Sequence, residues 1–119
     1  MRIIEQCFRV YADAPDADAT IAFYEALQGV TCARRVTIAE SGIVAAKVGG
    51  VLILASDGEA IVEARQVDGI FYVDDLDGFA NLVRGQGGEI LHEARAVTRG
   101  RNFTARHPDG LVIEYFEAA

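Results

Sequence analysis

The chain has 119 residues, about half of them apolar and a quarter charged, with 18 acids against 11 bases for a net charge of −7. That composition describes one globular domain rather than a disordered or fibrous chain, and it lacks the basic excess by which proteins hold nucleic acid or an anionic membrane. No apolar run approaches the ~18 residues of a membrane span. MRIIEQCFRV has no long apolar core of a secretory signal, and Cys7 and Cys32 form no CxxC pair, so a cytoplasmic protein with reduced thiols is expected.

Taken in order, IIEQCFRVY alternates as a strand does. DADATIAFYEALQG follows, with acids at its start, Ile21, Tyr24 and Leu27 at helical spacing and Gly29 after its end, the pattern of an amphipathic helix. VTCARRVTIA, GIVAAKV and GVLILAS read as three strands punctuated by Gly42, Gly49 and Gly50. The polar SDGEAIVEA reads as a break. VDGIFYVD then opens a second strand–helix pair, with Leu76, Phe79, Leu82 and Val83 on the helix of DDLDGFANLVRGQGG. GEILHEARAV, RNFTARH and GLVIEYF close the chain as strands, set off by Gly100 and Gly110.

The order β-α-β-β-β is therefore written twice. Laying FRV (8–10) on FYV (71–73) pairs Glu5 with Asp68, and laying GVLIL (50–54) on GLVIE (110–114) pairs Leu54 with Glu114. The two offsets nearly agree, as one internal duplication requires, and two copies are too few for a solenoid. The expected fold class is α+β, one domain over 1–119 with units at about 1–57 and 66–119.

Alternation along a strand assigns the faces. Ile4, Phe8 and Val10 are expected to face the first helix, leaving Glu5, Cys7 and Arg9 on the other side. Phe71 and Val73 are expected on the second helix, with Asp68, Ile70 and Tyr72 opposite, while Glu114 shares its face with Val112 and Phe116. If the helix-free faces curve round one cavity, it holds Glu5, Asp68 and Glu114, with Arg9 and Tyr72 at its rim. His107 belongs to the turn at Pro108-Asp109-Gly110, and His92 is placed as an exposed strand residue, with cup lining as the lesser alternative.

The duplication, FYEALQG at the end of the first helix and HPDGLVIEYFE at the end of the chain resemble the vicinal oxygen chelate superfamily. That group includes glyoxalase I, bleomycin-resistance proteins, fosfomycin-resistance enzymes and extradiol dioxygenases. The resemblance covers essentially the whole chain. It implies a curled mixed sheet with helices outside, and a homodimer in which units from two chains complete small-molecule cups. The family's four metal-ligand positions fall on Glu5, Leu54, Asp68 and Glu114. One of these is apolar, and neither histidine falls on any of them. The resemblance thus leaves a carboxylate set of Glu5, Asp68 and Glu114, suited to Mg²⁺, Mn²⁺ or Ca²⁺, and lacks the two-histidine set of an iron dioxygenase.

Three functions follow from the resemblance. The first is a binder of a small organic molecule without a cofactor, the cup being lined by Cys7, Arg9, Leu54, Tyr72 and Phe116. The second is a divalent-metal lyase, isomerase or dioxygenase using the carboxylate set. The third is a metal-free enzyme in which Glu114 serves as catalytic acid or base. For Glu114 the alternative of a solvent-facing residue stays open, as it does for Glu5 and Asp68.

Overall fold

The computed structural model describes residues 1–119 and resolves the repeat into two units, Cys7–Gln66 and Met1–Gln6 with Val67–Ala119. Strand β1 (Ile3–Ala12) contributes its first residues to one unit and Cys7–Ala12 to the other.

In the Cys7–Gln66 unit, β1 pairs parallel with β4 (Val51–Ala55), which pairs antiparallel with β3 (Val44–Val48) and that with β2 (Arg34–Thr37). A parallel pair needs a crossover, and helix α1 (Ala17–Gln28) lies in it. Ile21 packs against Ala46, Val48, Val51 and Ile53, and Val10, Tyr24 and Cys32 close the edge of this cluster. Leu27 does not join them; it is exposed. Each step of three residues falls about 60° short of a full helical turn, so Leu27 is rotated roughly 120° away from Ile21. Gln28 takes the inward place. Its Nε2 donates to the Val48 carbonyl at 2.9 Å, and its Oε1 accepts from the Gly50 N–H at 2.8 Å. The Gln28 Cδ would lie 2.9 Å from a Cβ on Gly49, whose φ is +56°. Only glycine admits both the left-handed backbone and the docked amide.

Two expectations for β1 are corrected. Val10 faces α1, but Phe8 is 75% exposed and Ile4 is exposed too. Helix α1 makes its main contacts with β3 and β4, and of β1 it is Val10 that joins the Ile21 cluster. The polar stretch expected as a break also folds, into the short helix α2 (Glu59–Ala64), anchored by buried Ile61.

In the other unit, β5 (Gly69–Val73) pairs parallel with β8 (Val112–Ala118), β8 antiparallel with β7 (Gly100–Arg106), and β7 antiparallel with β6 (Glu89–Val97). Helix α3 (Leu76–Gly85) packs Leu76, Phe79, Ala80 and Val83 on Val73, Phe103, Ala105, Ile113 and Tyr115, with Phe71 beside them. Leu82 is the one expected helix contact left exposed. Two carboxylates satisfy the first turn of α3: Asp75 accepts from the Gly78 N–H at 3.0 Å and Glu117 from the Leu76 N–H at 2.7 Å. A helix start needs such acceptors, and Glu117 ties the helix to the last strand. Phe103 stacks on Tyr115 with ring centres 4.6 Å apart. Burial pushes the Tyr115 phenol above its usual range, and the hydroxyl bonds to Nε2 of His107 at 2.8 Å. No helix is long and apolar enough to cross a membrane.

Candidate functional site

Because α3 covers the Phe71, Val73, Phe103, Ile113 and Tyr115 side of its sheet, alternation sends Asp68, Ile70, Tyr72, Val112, Glu114 and Phe116 to the opposite face, as expected. Cross-strand register arranges that face in rows. Ile70 lies beside Glu114, Glu114 beside Thr104, and Thr104 beside His92. The next row runs Tyr72, Phe116, Asn102, Arg95. Opposed side chains in such rows stand about 4.5–5.5 Å apart at Cβ.

Glu114 is half-buried at the middle of this face. One of its oxygens accepts from Nδ2 of Asn102 at 3.0 Å, and that bond orients the Asn102 amide, since a carboxylate can only accept. Tyr72 and Phe116 meet edge to face at 5.9 Å on one side of it. Ile70 and Val112 are apolar neighbours. A carboxylate held by an amide among aromatic and aliphatic groups can engage a cationic or hydroxyl-bearing ligand, or accept a proton from one.

Three residues of this face carry chemistry that the sequence reading did not select: Asn102, Thr104 and His92. The first two stand at alternate positions of RNFTARH, against buried Phe103 and Ala105, a visible polar-out pattern. His92 had no such signal. The β6–β7 register shifts between Ile90 and His92 and again between His92 and Arg95. These two irregularities turn His92, half-buried, onto Thr104, which simple alternation does not predict. His92 Nε2 lies 2.9 Å from Thr104 Oγ1, and Nδ1 lies 3.0 Å from the Glu93 carbonyl oxygen.

The other candidates lie elsewhere. Cys7, Arg9 and Leu54 belong to the Cys7–Gln66 unit. The Cys7 thiol is buried and faces the Gly49 carbonyl at 3.7 Å. Arg9 donates to the Ala64 carbonyl at 3.4 Å, and the same oxygen accepts from the Tyr11 hydroxyl at 2.5 Å. The Arg9 guanidinium sits 5.4 Å from the centre of the Tyr11 ring. The end of α2 thus engages Arg9 and Tyr11. Leu54 is buried opposite Tyr11 and Ala45.

A divalent metal is the group the superfamily resemblance implies, and the residues do not fit one. No three His, Cys, Asp or Glu side chains converge as ligands anywhere in the chain. Asp68 uses Oδ2 to accept from the Val112 N–H at 2.9 Å, and Glu5 is exposed on β1. The expected set of Glu5, Asp68 and Glu114 is not gathered.

No protein-family model and no curated protein matches the sequence. Solved structures do. A crystal structure of an uncharacterized protein from Methanosarcina mazei is 35% identical, covering 100% of this chain and 95% of that one at a TM-score of 0.89. Methylmalonyl-CoA epimerase from Mycobacterium tuberculosis is 26% identical over 98% of this chain and 89% of its own, with a TM-score of 0.69. A single-substitution variant of Streptomyces coelicolor methylmalonyl-CoA epimerase, in complex with 2-nitronate-propionyl-CoA, is 25% identical over 100% of this chain and 95% of its own, at 0.68.

Proposed function

We propose that this chain, which belongs to the vicinal oxygen chelate (glyoxalase-like) superfamily, binds a small organic molecule against the Glu114 face, with the Glu114 carboxylate engaging it. The observation that carries this reading is the placement of Glu114: half-buried at the centre of a strand row, oriented by Asn102 and flanked by the Tyr72–Phe116 pair. A solvated surface acid needs neither the amide clamp nor the aromatic wall.

The two epimerase likenesses favour a second reading on the same residue, in which Glu114 removes a proton from the carbon next to a carbonyl. Both readings are tested with propionyl-CoA and 2-nitronate-propionyl-CoA as probes. Calorimetry measures binding, and mass spectrometry measures deuterium taken up at the carbon next to the propionyl carbonyl in D₂O. A hydrogen bond to a charged group contributes about 1.5–3 kcal/mol, so Glu114→Gln is expected to weaken binding roughly 10- to 100-fold. Binding without deuterium uptake identifies a binder, and uptake that the substitution abolishes identifies the proton-transfer enzyme. Equal binding by wild type and Glu114→Gln would remove Glu114 from the site.

We also propose that the protein is a homodimer. Phe8, Phe23 and Leu27 of the Cys7–Gln66 unit are large, apolar and exposed, a pattern that marks interaction surfaces when such residues cluster. Light scattering is expected to give twice the chain mass, and Phe8→Asp to halve it with the circular dichroism spectrum unchanged. A wild-type monomer at micromolar concentration would sink the dimer.

A further inference from the structure

Thr104 is buried, 7% exposed, and no Ser, Asn, Gln, His or charged side chain of the chain is buried as it is. It stands between Glu114 and His92 in one row, and its hydroxyl meets the His92 ring. We propose that Thr104 and His92 form the acid half of an acid–base site whose base is Glu114, delivering a proton to the carbonyl oxygen of a ligand bound on this face. The proposal rests on the proton-transfer reading of Glu114 given above.

The protonation logic follows from the partners. Nδ1 faces the Glu93 carbonyl oxygen, which only accepts, so Nδ1 carries a proton. In the neutral ring Nε2 is then an acceptor and takes the Thr104 hydroxyl proton as a hydrogen bond. In the imidazolium both nitrogens donate, Nδ1 to Glu93 and Nε2 to Thr104 Oγ1. Both partners can accept, so the charged ring is satisfied without any movement. The Thr104 proton is then released to turn toward the ligand. A hydroxyl and an imidazole at 2.9 Å, with the imidazole oriented by a third group, is the arrangement that proton transfer through a side chain requires.

The step balances. A C–H bond next to the carbonyl breaks and its proton goes to the Glu114 carboxylate. The electron pair moves through carbon to the carbonyl oxygen, where negative charge develops. That oxygen takes the Thr104 hydroxyl proton while Thr104 takes the Nε2 proton of His92. The products are an enol, a neutral Glu114 and a neutral His92, and reversal returns all three protons. The donor at the oxygen matters because stabilising that developing charge commonly accelerates such reactions more than any other single effect.

The charged groups around His92 are accounted for on each neighbouring element. On α3, Arg84 pairs with Glu93. On β7, Arg106 pairs with Glu89 at 2.5 Å. Arg95 follows on β6 itself, and Glu114 stands two strands away on β8. Two of the three arginines are therefore held by acids of β6.

The experiment is deuterium uptake into propionyl-CoA, followed against pH for wild type, His92→Gln, Thr104→Ser, Thr104→Val and Glu114→Gln, with folding checked by circular dichroism. Removing a general acid is expected to slow uptake by about 100-fold or more. The wild-type rate should fall on the alkaline side, as catalysis by a general acid requires. His92→Gln should be slow and lack that limb, while Thr104→Ser should keep both rate and limb. Thr104→Val, if folded, should match His92→Gln. A His92→Gln variant with the wild-type rate and pH limb would overturn the relay while leaving Glu114 in place as base. No uptake by wild type would overturn the proton-transfer reading, and the relay with it.

Discussion

Replacing Phe103 by alanine is expected to cost about 3–5 kcal/mol, the range for emptying a buried aromatic site. Phe103 has no exposed surface, stacks on Tyr115 and belongs to the cluster that seats α3 on its sheet. Small domains hold only about 5–15 kcal/mol in total, so the variant should be close to unfolded at physiological temperature. Urea titration followed by circular dichroism measures the loss. Val62→Ala is the control: Val62 is 68% exposed, and a surface substitution usually stays within about 0.5 kcal/mol. A Phe103→Ala variant within about 1 kcal/mol of wild type, a bound set by such surface values, would mean that α3 is not seated on this cluster. The face opposite it, with Glu114, would then lose its assignment.

How far the sequence carried is clearest residue by residue. The alternation of GLVIEYF placed Glu114 with Val112 and Phe116 on one face without reference to anything distant, because a strand has a period of two. Phe71 and Val73 followed by the same logic. It failed where a neighbour decided the outcome. Phe8 shares its parity with Val10, yet it is exposed and only Val10 joins the Ile21 cluster. Leu27 has a helical spacing that drifts off the contact line, and Gln28, a polar residue, docks in its place. The helix at Glu59–Ala64 was hidden because it is only six residues long, with one buried anchor. His92, expected as an exposed strand residue with cup lining the lesser alternative, is half-buried in the Thr104 row. Its position depends on two local slips of register against β7, and a bulge leaves no mark in a hydrophobic pattern. The candidate site was therefore legible as one carboxylate and its aromatic flank, and its polar row only through strand pairing.

Gly100→Ala is expected to be the most damaging glycine substitution in the Val67–Ala119 segment, and it reports on the site as well as on stability. A Cβ at this position would press on the Glu117 carbonyl oxygen more closely than real Cβ atoms do. It would also lie 3.1 Å from the Glu117 carbonyl carbon and 2.8 Å from the Phe116 ring tip. The obstacle is backbone, so relief requires β7 and β8 to move apart where Gly100 pairs with Ala118. Overfilling a packed site costs typically about 1–3 kcal/mol. Gly85, at the end of α3, has nothing within 4 Å of its Cβ position and no positive φ. Gly85→Ala should therefore stabilise by about 0.5–1 kcal/mol through helix propensity. Since about 1 kcal/mol moves the melting point of a small domain by about 4–8 °C, scanning calorimetry separates the two signs directly. The Gly100 effect should also reach function, because the displaced residues are Phe116, which flanks Glu114, and Glu117, which caps α3. A Gly100→Ala variant that melts with the wild type would show that the two strands do not approach this closely. Phe116 would then lose its assigned place beside the carboxylate.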